Sequence, residues 1–417
     1  MAQLSDDCFA FGGALMSVDE AVALIRARVT AVAGIEQLSL QEADGRVLAD
    51  ALHAPVPLPL FANSAVDGYA LSSADLPKDE PRAFAVSQRI QAGARAAPIV
   101  PGTIARIFTG APMPAGADTV FMQEDVEIQA DGRVLLPKGL KPGANMRPAG
   151  EDVAKGALAI AAGTRLRPQH VALAAALGLT RLDVRRRIRV AVFSTGNEVV
   201  APGALRDDAQ LFDSNRFMLA ALLRRMGCEI SDLGILRDDR AALSSALADA
   251  AQAHDLILTS GGVSTGEEDH MRAAVEQVGS LVLWRMAIKP GRPVAMGVVA
   301  GTPFIGLPGN PVASFVTFAY VVRPIVLALA GALPEPIVAL PVRADFAYRK
   351  KKGRREYVRA SLQKSSDGIP LAVKFPREGA GLLSSLAETD GLVELGEEIE
   401  NVSPGESVGF LPYASLI

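Results

Sequence analysis

The stretch "DLILTSGG", residues 255–262, runs three aliphatic residues between an aspartate and two glycines. A strand with no polar face must be covered on both sides, as in a parallel sheet wrapped by helices. The preceding segments repeat the rhythm: "RIRVAVFSTG" (187–196) reads as a strand, "SNRFMLAALLRRMG" (214–227) as a helix capped by Ser214 and ended by Gly227, "EISDLGIL" (229–236) as a strand and "RAALSSALADAAQ" (240–252) as a helix. Strands alternating with helices predict an α/β domain with a parallel-rich sheet. Ligands of such sheets sit at the carboxyl ends of the strands. Three polar turns fall there: "STGNE" (194–198), "RDD" (237–239) and "SGGVSTGEED" (260–269).

Outward from this unit the composition shifts. "SVDEAVALIRARV" (17–29) predicts a helix with a capping box between Ser17 and Glu20. Pro55, Pro57 and Pro59 on alternate residues favour an extended connector. Short β-rich runs broken by Pro and Gly fill residues 70–137, as a small all-β insertion would. "RPQHVALAAALGL" (167–179) reads as a helix with Pro168 at its start and Gly178 near its end. After residue 333, strand-like pieces such as "RREYVRASLQ" (354–363) and "ESVGFLPY" (406–413) suggest a compact β-barrel or sandwich.

With 417 residues, 49% hydrophobic, the chain is long enough for two to four domains. A net charge of -4 gives no global pull toward nucleic acid or acidic membranes, so a bound anion needs a local patch. "RKKKGRREYVR" (349–359) is basic but short, and a solvated hairpin or a local anion contact is expected of it. The two cysteines, Cys8 and Cys228, and the four histidines show no metal or disulfide spacing, and no Ser-His-Asp signature stands out. The acidic N-terminus lacks the pattern of an export signal, which leads to the expectation of a cytoplasmic protein. The apolar run 312–333 is long enough to span a bilayer, yet Arg323 and Pro324 at its midpoint argue for a buried helix instead.

The turns carry the chemistry. Gly261 and Gly262 can turn successive N–H groups toward an anion, with Ser260 and Ser264 adding hydroxyls; a plain tight turn would use the same residues. No Walker A lysine or G-x-G-x-x-G fingerprint is present. Glu198, Asp238, Asp239 and Asp269 are placed at one sheet edge, where carboxylates beside a phosphate call for a hard cation such as Mg²⁺; each is also a candidate helix cap or solvated loop charge. "IKPGRPVAMG" (288–297) holds Lys289 and Arg292 on a stiff turn suited to a small oxyanion. Pro308, Gly309 and Asn310 precede the long apolar helix, whose free N–H groups could serve the same ligand.

Seven motifs in order, "NSAVDGYA" (63–70), "RPAGEDVAKG" (147–156), "FSTGNEVV" (193–200), "SGGVSTGEEDH" (260–270), "IKPGRPVAMG", "GLPGNPVAS" (306–314) and "GRREYVR" (353–359), resemble the MoeA/gephyrin E-domain family of molybdopterin molybdenumtransferases over essentially the whole chain. The resemblance implies four parts: an N-terminal linker domain of residues 1–54 and 138–183, a β-rich lid at 55–137, a molybdopterin-binding α/β domain at 184–333 and a C-terminal β-barrel at 334–417. It implies a homodimer whose active site is shared, so that Asp67 joins the acidic edge in trans. The implied reaction inserts molybdate into adenylylated molybdopterin and releases AMP. The resemblance casts Asp67, Asp152, Glu198, Asp238 and Asp269 as catalytic, all but Asp152 also as ligands of Mg²⁺. It assigns Thr195, Gly196, Ser260, Gly261, Gly262, Ser264, Pro308, Gly309 and Asn310 to substrate, and Lys289, Arg292, Arg354 and Ser385 to the oxyanion. It also suggests transient contact with a molybdopterin-adenylylating enzyme, with no nucleic acid and no membrane as partner. Val66, Asn197, His270 and Arg272 depart from the usual motifs. A non-catalytic scaffold on the same fold is the alternative; a nucleotide-binding regulator would leave the cationic turn without a role.

Overall fold

A computed structural model describes residues 4–11, 15–261 and 270–417. Helix α1 (Val18–Arg28) begins at the expected capping box: the Ser17 hydroxyl accepts from Glu20 N, and the Glu20 carboxylate accepts from Ser17 N at 2.8 Å. The strand Ile35–Ser39 pairs antiparallel with Arg181–Arg185, and Leu52–His53 with Leu158–Ile160. The chain therefore leaves this region and returns beside its own exit, with helix α2 (Pro168–Ala176) packed on the return.

The excursion is all β. Strands β1 (Gly68–Leu71), β2 (Val86–Ile90), β3 (Ile104–Ile107) and β4 (Thr119–Met122) form a sheet in the order β2-β3-β1-β4. Leu71 and Ile104 on one face and Ala70 and Ala105 on the other belong to separate apolar clusters, the alternation a pleated strand imposes. Val66 packs against the second cluster.

The α/β unit holds six strands: β5 (Arg189–Thr195), β6 (Glu229–Leu236), β7 (Leu256–Ser260), β8 (Gly279–Arg285), β9 (Pro293–Val299) and β10 (Thr302–Leu307), ordered β6-β5-β7-β10-β9-β8. The first four in that order run parallel; β9 alone is reversed, pairing antiparallel with β10 on one side and β8 on the other. Every residue of β7 is buried, as its composition requires. Val190 and Val192 of β5 face helix α3 (Asn215–Arg225), while Ala191 and Phe193 face α4 (Arg240–Ala253) and α5 (His270–Val278). Burying a Val, Leu or Phe side chain on either face contributes roughly 1.5–3 kcal/mol, which makes a two-sided cover worth its ordering cost.

The apolar run forms one continuous helical segment, Pro311–Leu329, with a π-helical turn at Phe318–Val322. It is long and apolar enough to cross a membrane but lies buried in the fold. Arg323, 5% exposed, donates to the Glu335 carbonyl at 2.9 Å and its carboxylate at 3.0 Å. Beyond it, β11 (Leu340–Ala344), β12 (Arg355–Gln363), β13 (Leu371–Lys374), β14 (Gly391–Leu395) and β15 (Ser407–Pro412) close a five-stranded barrel in the order β12-β13-β11-β15-β14, with β14 returning to β12. Ile288 and Lys289 pair parallel with Arg355 and Glu356, tying the cationic turn to the barrel.

Candidate active site

The connection out of β5 goes to β6 on one side, whereas β7 leads away on the other, so the sheet order reverses between β5 and β7. Crevices at such switch points are where open α/β sheets bind ligands. A cavity of about 290 Å³ lies there, lined by Ser194, Thr195, Glu198, Ser260, Gly309 and Asn310 among others. Gly261 sits at φ +89°, where an added Cβ would stand 2.7 Å from the Thr195 carbonyl oxygen. A side chain there would push the two strand ends apart, so glycine is what lets the turns approach.

Asn215, first residue of α3, fastens three segments of the wall. Its Nδ2 donates to Ser260 Oγ at 2.8 Å and to the Gly309 carbonyl at 2.7 Å. Ser214 occupies the N-cap position as expected, but its side chain makes no capping bond. Among the described residues, the buried oxygens Asn215 Oδ1, Ser194 Oγ and Thr195 Oγ1 on the cavity wall, and Thr259 Oγ1 next to Ser260, have no hydrogen-bond partner. Buried polar atoms are nearly always satisfied, so a group of orphans around one cavity points to a polar ligand.

A second cavity, about 100 Å³, lies between the cationic turn and the barrel and is lined by Lys289, Tyr348, Glu356, Arg359, Lys374 and Arg377 with others. Glu356 is 1% exposed and organises it. Its carboxylate accepts from Tyr348 Oη at 2.9 Å and Arg354 Nε at 2.7 Å, and lies 3.3 Å from Lys289 Nζ. Burial, then the bond to Glu356, pushes the Tyr348 phenol up, so it remains a donor. Arg359 is buried, with Nε donating to Ser385 Oγ at 3.0 Å and a second nitrogen to the Gly379 carbonyl at 3.1 Å. Burial draws its pKa below the usual arginine value.

The two cavities meet at the start of the long helix. Val312 N donates to the Ala380 carbonyl at 3.0 Å, linking the residue after Asn310–Pro311 to the wall of the second cavity. Gly291, at φ +112°, packs so closely that an added Cβ would lie 2.6 Å from Thr317 Oγ1. The turn carrying Lys289 thus rests on the same helix whose first residues border the first cavity.

Of the residues singled out in the sequence, Thr195, Glu198, Ser260, Gly261, Gly309 and Asn310 line the first cavity, with Gly196 beside Glu198 and the Pro308 carbonyl bonded by Ser314 Oγ. Lys289 lines the second, and Ser385 holds Arg359 behind it. Arg354 is spent on Glu356 and is absent from that wall, and Arg292 is exposed outside it. The basic hairpin is only partly solvated: Arg349, Lys351 and Lys352 are exposed, but Lys350 is buried, with Nζ on the Ile399 carbonyl at 2.6 Å, and so is Arg359. Arg359 is the functional candidate the motif contained and the sequence reading passed over in favour of Arg354. No alternation could have signalled it, because β12 is buried without a break from Glu356 to Ala360.

The acids are dispersed. Asp67 immediately precedes β1, its Oδ1 accepting from Thr109 N and Oγ1, each at 2.7 Å, and these bonds hold its carboxyl below the usual range. Asp152 N bonds the Leu58 carbonyl near the connector. Asp239 caps α4 through Ala242 N at 2.8 Å, and Asp238 precedes it half-buried. Gly262, Ser264 and Asp269 lie outside the described residues. Among the described residues of one chain, no three His, Cys, Asp or Glu side chains form a group that could hold a metal. The expected convergence of carboxylates for Mg²⁺ is therefore not met by these residues alone.

Parallel strands with a polar cavity at their switch point, joined to a closed barrel bearing a cationic cavity, define a ligand-binding α/β protein, and residues 191–328 match the family model described as a probable molybdopterin binding domain. Residues 16–178 match the MoeA N-terminal region, domains I and II, and residues 341–413 the MoeA C-terminal region, domain IV. A Haemophilus influenzae protein named molybdopterin molybdenumtransferase is 36% identical over 97% of this chain and 100% of its own length. A Nostoc protein of the same name is 34% identical over 89% of this chain and 87% of its own. The crystal structure of a molybdopterin biosynthesis MoeA protein from Pyrococcus horikoshii superposes with TM-score 0.80 at 28% identity, covering 96% of this chain and 100% of that one. The chain belongs to the MoeA family.

Proposed function

We propose that the protein inserts molybdate into adenylylated molybdopterin and releases AMP, as a homodimer with Mg²⁺. The observation that carries this reading is the adjacency of two unlike cavities along one helix. The cavity at the sheet edge offers buried hydroxyls and a glycine turn to a phosphate-bearing ligand. The neighbouring cavity offers Lys289 and Arg359, held by buried partners, to a tetrahedral oxyanion. Bringing the two reactants onto fixed elements a few residues apart supplies positioning, and the cations offset charge as it moves. The names of the relatives are consistent with this transfer.

Mg²⁺ belongs to the reading through Glu198 and Asp238 together with Asp269 and, in a shared site, Asp67 of a second subunit. The described residues of one chain do not by themselves assemble its ligands. A cytoplasmic location and transient contact with the enzyme that supplies the adenylylated pterin belong to the same proposal.

The test is to incubate the purified protein with adenylylated molybdopterin, molybdate and Mg²⁺ and to follow AMP and pterin-bound molybdenum together. The two should appear in equal amounts. AMP release without molybdenum in the pterin would make the protein a hydrolase and overturn the proposal.

A further inference from the structure

Away from both cavities, a concavity of about 360 Å³ opens where the N-terminal region meets the α/β unit. Five arginines line it, Arg165, Arg167, Arg187, Arg224 and Arg225, against one carboxylate, Asp44. They come from three segments: the entry to α2, the link into β5, and the end of α3. Arg165 is paired with Glu335 at 3.2 Å. Among the described residues, the other four have no carboxylate within 4 Å. The chain as a whole carries a net charge of -4, so this concentration is local.

The scaffold beneath is rigid. Gly45 N donates to the Leu166 carbonyl at 2.9 Å and Leu166 N to the Arg46 carbonyl at 2.7 Å, while Arg187 reaches the Gly227 carbonyl at 3.3 Å. The α3 macrodipole accounts for cations at Arg224 and Arg225. It accounts in part for Arg187 as well, which reaches the Gly227 carbonyl just past the helix end, but not for Arg167, which arrives at the entry to α2; five guanidinium groups around one carboxylate repel one another unless an anion fills the space. Guanidinium forks from several directions match phosphate oxygens, and a concave wall suits a compact ligand better than a flat protein surface. Among the described residues, the wall has no aromatic side chain on which a base could stack.

We infer that this concavity is a binding site for a compact polyphosphate anion, separate from the two cavities of the proposed reaction. The test titrates the full-length protein with inorganic pyrophosphate, tripolyphosphate and inorganic phosphate by calorimetry. The expected order is tripolyphosphate and pyrophosphate well ahead of phosphate. Arg187→Gln/Arg225→Gln should bind pyrophosphate about tenfold more weakly, the loss of charge-assisted bonds. Lys289→Ala, altered in the oxyanion cavity, should retain it. Folding of the double variant is checked by its melting temperature without anion, which should stay within a few degrees of the parent, the relieved repulsion offsetting the lost Gly227 contact and helix-end charge. Equal pyrophosphate affinity in the double variant, or loss of binding in Lys289→Ala instead, would overturn the assignment. So would the absence of any small-anion binding, including the case in which an acidic protein binds this face.

Discussion

Asn215 shows how much one side chain can be asked to do. It joins the ends of β7 and β10 to the start of α3, through bonds to Ser260 and Gly309. Asn215→Ala should cost about 1–3 kcal/mol in chemical denaturation, because both partners lose a buried donor. At Gly261 the prediction is comparative. Gly261 and Gly203 both have positive φ, but only at Gly261 would a Cβ meet backbone within 3 Å. Gly261→Ala should therefore destabilise clearly more than Gly203→Ala, and equal melting temperatures would remove the close-approach argument. Cys228 supplies a pH prediction. Burial pushes its thiol up to about 12 from 9.0. The unfolded chain therefore loses this proton first as pH rises, so the associated stability is complete below pH 9 and is lost as pH climbs toward 12. Native protein at pH 8.5 should leave Cys228 unalkylated by iodoacetamide, and denatured protein should not.

At the scale of elements, the buried long helix was legible because Arg323 in its middle is too costly for a bilayer. What the sequence did not contain was the partner: Glu335 meets Arg323 only after the chain turns past the helix end. Burial draws the Arg323 pKa down, a sign of how much its charge depends on that partner. Glu335→Ala should cost about 3–5 kcal/mol, because it leaves a buried charge uncompensated, while Arg323→Leu with Glu335→Leu should recover a large part of that loss in thermal unfolding. The same distinction runs through the rest of the fold. Capping box, strand alternation and the glycine turn are local patterns and could be read directly. The neighbours of Lys289 could not, because they depend on a parallel pairing between residues 288–289 and 355–356 and on the barrel closing β14 onto β12. That long-range geometry places Arg359 in the cavity and leaves Arg354 on Glu356.

For the whole molecule, the proposed reaction needs the pterin end of a substrate in the cavity of the α/β unit and the oxyanion in the cavity beside the barrel, whose walls are linked at Val312 by the long helix. Asp67 makes its bonds within the β-rich excursion, to Thr109. If the site is shared, mixing Asp67→Ala protein with Lys289→Ala protein should, at limiting molybdate, recover activity that neither homodimer shows, to roughly a quarter of the parent on statistical grounds for a two-fold dimer. The most direct test of the central claim is the molybdate dependence of AMP release from adenylylated molybdopterin. In the parent protein, release should saturate with molybdate. In Arg359→Ala and Lys289→Ala it should require at least about tenfold more, as loss of a charge-assisted contact implies. An unchanged molybdate response in both variants would contradict the account.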